Sequence, residues 1–171
     1  MRIETERLLL RVPSLDELEE YVELAGDPLA MRFSVGGPES RDEVEDKLPQ
    51  VIERVTQRGY GLLSVMRKED DAFLGWCMVK DIELDGEKEW EIGYRFLPRY
   101  WGNGYATEAA LGYRDFAFKE LGVGRLIAVI ESENAASIAV AKRLGMRMER
   151  ESVYCGLEVE VYFGERSAIG G

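Results

Sequence analysis

A strand closed by proline, a turn holding two glycines one residue apart, and a helix directly after it succeed one another over residues 90–121. This order narrows the possible folds more than any other feature of the chain. Trp90-Glu91-Ile92-Gly93-Tyr94-Arg95-Phe96 alternates at the two-residue period of a strand. On that alternation Glu91 shares a face with Glu89, Gly93 and Arg95, opposite Trp90, Ile92, Tyr94 and Phe96. Pro98 ends the strand. After Gly102-Asn103-Gly104, the residues Ala106, Ala110, Tyr113, Ala117 and Leu121 form one helical stripe that Gly122 stops. The loop therefore contains the unpaired amide donors of a helix N-terminus. Its glycines let a ligand approach the backbone closely, and the helix dipole favours negative charge there. A pyrophosphate suits such a site, although glycines also join strands to helices for structural reasons alone.

Two other phosphate motifs can be compared with this loop. A P-loop requires Lys and then Ser or Thr after its last glycine, and Tyr105 follows Gly104. A dinucleotide fingerprint is matched by Gly102, Gly104 and an acid, Glu131, at the end of the next strand. It fails at Thr107, where the third Gly or Ala should stand, and the flanking βαβ units are missing.

Elsewhere the pattern predicts a strand over residues 5–12 and two helices announced by capping boxes, Ser14 with Glu17 and Ser40 with Glu43. Pro49 should kink or split the second helix. Strands follow over residues 60–66 and 73–79 around a polar turn, and a second polar turn covers residues 83–88. A strand at 125–130, a short helix at 135–144 and a final hairpin at 146–163 complete the order, with a frayed tail at 167–171. Strands with inserted helices predict one α+β domain over residues 1–166, a mixed sheet between two helical layers.

Composition excludes several functions. At 171 residues, 46% hydrophobic and 32% charged, the chain reads as a globular domain. No apolar run approaches a membrane span of about 20 residues, and residues 1–11 lack the apolar stretch of a secretory signal. Cys77 and Cys155 have no metal-type spacing and read as buried thiols in a reducing compartment, so a cytoplasmic protein without metal is expected. A net charge of −11 argues against nucleic acid. It would attract a cationic substrate, or simply aid solubility. The chain has no histidine, so any general base is a carboxylate, Cys, Tyr, Lys or relayed water, and Ser-His-Asp chemistry is excluded.

Arg99-x-x-Gly102-x-Gly104 resembles the Arg/Gln-x-x-Gly-x-Gly/Ala acetyl-CoA motif of the GNAT (Gcn5-related N-acetyltransferase) superfamily. The chain is similar in particular to its ribosomal-protein N-terminal acetyltransferase branch, which modifies serine or alanine amino termini. Thr5-Glu6-Arg7-Leu8-Leu9-Leu10-Arg11 looks like that branch's opening strand. Glu91-Ile92-Gly93-Tyr94 with residues 100–109 looks like its cofactor strand, loop and helix. Asn134-Ala135-Ala136-Ser137 through Met146 looks like its Asn-x-x-Ser helix. The resemblance runs from Ile3 to about Arg166. It implies the GNAT fold, with about seven mostly antiparallel strands, about four helices, and a slot where the fourth and fifth strands splay. It further implies that the backbone of Phe96 and Leu97 pairs with the pantetheine arm of acetyl-CoA. Arg99, Gly102, Asn103, Gly104, Tyr105 and Ala106 would hold the pyrophosphate, with Trp101 touching the cofactor. Asn134 and Ser137 would lie beside the thioester.

In this family an amine attacks the thioester directly. Glu91 is the first candidate for the base, through water; it could instead pair with Arg95 or be solvated. Ser137 is the candidate for meeting the departing sulfur, or else a helix-start serine satisfying backbone donors. Many members carry a tyrosine acid where Ala141 stands, a departure that leaves the acid open, with Tyr154 and Tyr162 as fallbacks. Glu158 and Glu160 could bind an ammonium. The acceptor, a peptide amino terminus or a small amine such as an antibiotic or polyamine, would be framed by residues 31–40 and the final hairpin. A non-catalytic acyl-CoA-binding module is a further alternative. The protein would act as a monomer or homodimer.

Overall fold

The computed structural model describes residues 1–169, with side chains through Ser167. Gly170 and Gly171, the end of the expected tail, lie outside the described residues, while Arg166–Ile169 winds into a helical turn. The chain opens as a hairpin, β1 (Arg2–Glu4) against β2 (Leu8–Arg11), where the pattern predicts a single strand. Thr5 makes the difference. Its amide donates to the Leu8 carbonyl at 3.0 Å, and its hydroxyl accepts from the Leu8 amide at 3.1 Å. A distant carboxylate, Glu108, then accepts from the Thr5 hydroxyl at 2.6 Å and from the Arg7 amide at 2.7 Å.

Both capping boxes form. Ser14 and Glu17 start a 3-10 turn that runs into α1 (Leu18–Gly26), and Ser40 and Glu43 start α2 (Arg41–Arg58). The second helix runs unbroken through Pro49. Pro49 and Glu45 both lie on the exposed side, so water can satisfy the Glu45 carbonyl that the proline leaves without its usual donor. Among the described residues, no helix is long and apolar enough to cross a membrane.

Strands β3 (Leu62–Arg67), β4 (Phe73–Leu84), β5 (Glu87–Phe96), β6 (Arg125–Ile130), β7 (Arg147–Tyr154) and β8 (Leu157–Glu165) join the hairpin in one eight-stranded sheet, ordered β1-β2-β3-β4-β5-β6-β8-β7. The eighth strand is the one added by the opening hairpin. Of the neighbouring pairs only β5 and β6 run parallel, and they share a single registered pair, Glu91 with Ile127. Counting the hairpin as one strand, this is the junction between the fourth and fifth strands. The β4–β5 strands run longer than the pattern predicts because Asp85-Gly86 closes them in two residues, both with positive φ. Cys155-Gly156 closes β7 and β8 in the same way. Cys155 is therefore exposed at a turn, contrary to expectation, and only Cys77 is buried.

Helices α3 (Tyr105–Lys119) and α4 (Ala135–Arg143) cover one face of the sheet, where Trp90, Ile92, Tyr94 and Phe96 meet Ala109, Ala110, Tyr113 and Ala117. The alanines let α3 lie close to the strands. On the other face, Tyr21 and Leu24 of α1 and Val44 and Leu48 of α2 pack on Met66, Phe73 and Leu97. The tip of the β4–β5 hairpin folds toward the far strands: Leu84 packs on Ile127 and Val161, and Asp85 accepts from Ser152 at 2.7 Å and Arg150 at 2.9 Å.

The β4–β5 pair gives a test of this packing. A Cβ on Gly75 would come 2.1 Å from the Arg95 carbonyl oxygen and 2.7 Å from Phe96 Cα, both backbone atoms. One on Gly93 would meet only the flexible end of Met78, at 2.9 Å. Gly75→Ala is expected to cost about 3 kcal/mol or more and Gly93→Ala within about 1 kcal/mol. Urea unfolding midpoints of the two variants measure the contrast, and equal shifts would contradict the register.

Candidate active site

The site begins where the sheet comes apart. Leu97 donates its amide to the Leu74 carbonyl at 2.9 Å, so Leu97, Arg95 and Gly93 direct their backbone groups toward β4. Tyr94 and Phe96, one residue out of phase, direct theirs into the gap beyond the Glu91–Ile127 pair. Of the two residues expected to meet the pantetheine arm, Phe96 thus directs its amide into the gap, whereas Leu97 donates toward β4 and its carbonyl accepts from the Tyr100 amide at 2.9 Å. The residue that joins Phe96 at the gap is Tyr94. Trp101, 48% exposed, reaches back to donate its Nε1 to the Phe96 carbonyl at 2.9 Å.

The loop after β5 is a row of free donors. Gly102 and Gly104 both have φ of 78°, a left-handed conformation that favours glycine. Gly104 is the N-cap of α3 and supplies no side-chain cap. Among the described residues, the amides of Gly102, Asn103, Gly104, Tyr105, Ala106 and Thr107 find no acceptor. An uncapped helix start of this kind fits a pyrophosphate in shape and sign. The loop is braced from outside. Arg7 donates to the Asn103 carbonyl at 3.0 Å and pairs with Glu108 at 2.7 Å. Asn103 turns its side-chain amide inward to the carbonyls of Tyr100 and Trp101.

Three arginines stand at this loop. Arg99 pairs with Glu23 of α1 and lies 5.0 Å over the Tyr100 ring. Arg7 lies 4.6 Å over the Tyr105 ring, and Arg67 lies 5.4 Å over Tyr100 and reaches the Tyr105 hydroxyl at 3.4 Å. The motif reading picks out Arg99 alone. Arg67 is distant in sequence, and the only hint of Arg7 is its place in the opening Thr5-Glu6-Arg7 string.

Across the gap, Asn134 accepts from the Ser137 amide at 3.2 Å and so caps α4. That relieves Ser137 of the capping role, and its half-buried hydroxyl has no hydrogen-bond partner among the described residues. The Tyr94 hydroxyl spans from β5 to the Ser137 carbonyl at 3.2 Å. Tyr162 is committed to Glu160 at 2.7 Å.

Glu91 is 8% exposed and is neither solvated nor paired with Arg95. Its charged neighbour is Lys80, directly across on β4, at 3.3 Å, and its Oε2 makes no hydrogen bond. Burial pushes the Glu91 carboxyl above the usual carboxylate range, and Lys80 only partly pulls it back. Tyr154, whose phenol is raised chiefly by burial, is near enough to feel both charges. Glu91 and the Ser137 region thus approach the same gap from opposite faces of the sheet.

Residues 7–147 match the family model described as the acetyltransferase (GNAT) domain. The chain belongs to the GNAT acetyltransferase family. This acetyltransferase is 32% identical over 152 residues to the uncharacterised N-acetyltransferase YnaD of Bacillus subtilis, covering 87% of this chain and 84% of YnaD. A solved GNAT-family acetyltransferase from Bacillus anthracis superposes with a TM-score of 0.85 at 26% identity, over 98% of this chain and 99% of that one. The fold is also that of RimL, the ribosomal L7/L12 alpha-N-protein acetyltransferase solved with coenzyme A, at a TM-score of 0.80 and 20% identity, covering 96% and 98%.

The buried carboxyl has a consequence for stability. Because its folded pKa is raised, ionising Glu91 destabilises the acetyltransferase progressively as pH rises from the ordinary glutamate value of 4.5 through the folded one. Glu91→Gln is expected to melt higher than the parent at pH 8, with the gain shrinking toward pH 4. Melting curves across that range check it, and a gain that grows in acid would reverse the assignment.

Proposed function

We propose that this acetyltransferase moves the acetyl group of acetyl-CoA directly to a primary amine, with Glu91 as general base and the Ser137 hydroxyl beside the sulfur. The observation that carries this reading is a buried carboxyl, its pKa raised by burial, on the residue that pairs β5 with β6, with an uncommitted hydroxyl at the far side of the same gap. Bound acetyl-CoA supplies an activated thioester. The amides of residues 102–107 hold its pyrophosphate, and Tyr94 and Phe96 offer it a strand edge. Glu91 removes the proton of the incoming ammonium, directly or through water, and a raised pKa brings it closer to the ideal for that task near neutrality. Lys80, 3.3 Å away, opposes that rise and favours the ionised form that accepts the proton. The neutral amine then attacks the carbonyl carbon, and the C–N bond forms as the C–S bond breaks. The Ser137 hydroxyl hydrogen-bonds the departing thiolate, and the second nitrogen proton passes to that sulfur to release CoA as the thiol. Catalysis uses the single domain of residues 1–166, in the cytoplasm. The resemblance favours a peptide amino terminus beginning with Ser or Ala as acceptor, and a small amine is the alternative.

Thiol release from acetyl-CoA with a panel of amines, including Ser- and Ala-initiated peptides, tests this reading. Glu91→Gln should lower the rate by about 10² to 10⁴ while leaving CoA affinity unchanged. The ascending limb of the pH–rate profile should move or vanish with it. A limb that stays and follows the pKa of the amine instead would remove Glu91 from proton transfer.

Gly104→Val tests the cofactor site separately. It should fold, yet bind CoA at least tenfold more weakly, because a branched side chain opposes the left-handed cap and crowds the donors. Calorimetric titration with CoA reads this, and unchanged affinity would refute the site.

A further inference from the structure

On the face of β5 that carries Glu91, two strand steps further along, Arg95 enters a cavity of about 170 Å³ between the sheet, α1 and α2. Tyr21, Leu24, Met31, Leu48 and Trp76 line it. Met31 belongs to the segment expected to frame the acceptor, whereas no residue of the final hairpin reaches the lining. Arg95 is half-buried at this wall, and two of its features stand out. Its guanidinium ion-pairs with no carboxylate among the described residues. Its contacts are the Met31 sulfur, a weak acceptor, at 3.1 Å and the Trp76 ring at 5.3 Å. Burial also works against its charge, and the distant Glu39 only partly offsets this. A guanidinium partly withdrawn from water attracts an anion more strongly than one at the open surface.

The other charges in the lining leave that anion to be supplied from outside. Glu39 is ion-paired with Lys47 at 2.9 Å. With Arg95 and Lys47 positive and Glu39 negative, the lining carries 2 − 1 = +1, in a chain whose net charge is −11. We infer that Arg95 receives the carboxylate of the acceptor, which selects the small-amine alternative over a peptide amino terminus: the acetyltransferase acts on an amine that also bears a carboxylate and a compact apolar body. One carboxylate balances the lining, whereas a phosphate dianion would leave it negative beside Glu39. The apolar walls take the body of the acceptor, and a cavity of about 150 Å³ suffices for a benzene-sized group. Between Arg95 and Glu91 the face is floored by Gly93 and Met78, so the amine lies on the side of the cavity that leads to the base. Amines carrying several positive charges are disfavoured by the same two cations.

This inference rests on the acetyl-transfer reading for the amine but not for the carboxylate, and two measurements separate them. Acetyl transfer is compared within matched pairs: phenylalanine with 2-phenylethylamine, leucine with 3-methylbutylamine, and 6-aminohexanoate with hexylamine. Binding is followed by the melting shift that 3-phenylpropionate, which has no amine, produces in the CoA-saturated protein. In at least one pair the carboxylated member should have the higher kcat/KM by about 30-fold or more. Arg95→Met should abolish that preference, chiefly through KM, and abolish the 3-phenylpropionate shift, while the CoA shift persists. Glu39→Gln, which removes the opposing charge and leaves Arg95 in place, should lower KM for the carboxylated amine several-fold. It also serves if Arg95→Met does not fold. Equal transfer to both members of every pair overturns the carboxylate site and leaves acetyl transfer intact. An Arg95-dependent 3-phenylpropionate shift without transfer to any amine leaves the carboxylate site intact and overturns acetyl transfer.

Discussion

The Glu91–Ile127 pair is the only register that β5 and β6 share, and the arrangement of everything around it follows. Parallel strands that part after one pair leave a row of backbone donors and acceptors without a neighbour, which a folded protein tolerates only where something else will pair with them. Tyr94 and the amide of Phe96 provide that row, while Trp101 already donates to the Phe96 carbonyl. The two halves of the sheet stay together because α3 and α4 pack over the break from one side, and the β4–β5 hairpin tip reaches the far strands from the other. The gap is therefore held open by packing on both faces, and the groups with chemical potential gather at its edges.

Charge is distributed to the same end. The chain is strongly acidic, yet Arg7, Arg67 and Arg99 surround the loop whose amides are unpaired. Lys80 is the charged neighbour of the one buried carboxylate on the gap. Fewer than half of the 33 acidic residues form ion pairs, and most of those pairs lie at the surface, where each is of small worth. These four cations instead stand beside unpaired amides or a buried carboxyl.

What could be read from the sequence was local. Ser14 with Glu17 and Ser40 with Glu43 act within one helical turn, and both boxes form. The glycines at 102 and 104 meet a backbone requirement of their own loop. Alternation along β5 is a property of consecutive residues and put Glu91 on its correct face. What could not be read depended on partners remote in sequence. Nothing near Thr5 announces the hairpin, because the acceptor that stabilises its turn is Glu108. Glu91 could not be matched with Lys80 rather than Arg95 without the β4–β5 register. Leu97 turns toward β4 because of the phase of that ladder, and Ser137 is left free because Asn134 takes the cap.

The brace on the loop spans a long stretch of chain: Glu108 lies 103 residues from Thr5 and 101 from Arg7. Contacts of such separation form late in folding, because the intervening loop must be closed before they return any stabilisation. On the ribosome, where the N-terminal part emerges first, the opening hairpin waits for the start of α3 before its turn is complete. The donors of residues 102–107 acquire their final orientation only then. On the proposed assignment of those donors to the cosubstrate, a nascent chain cannot capture it piecemeal, and binding would report that the first two-thirds of the molecule has already assembled.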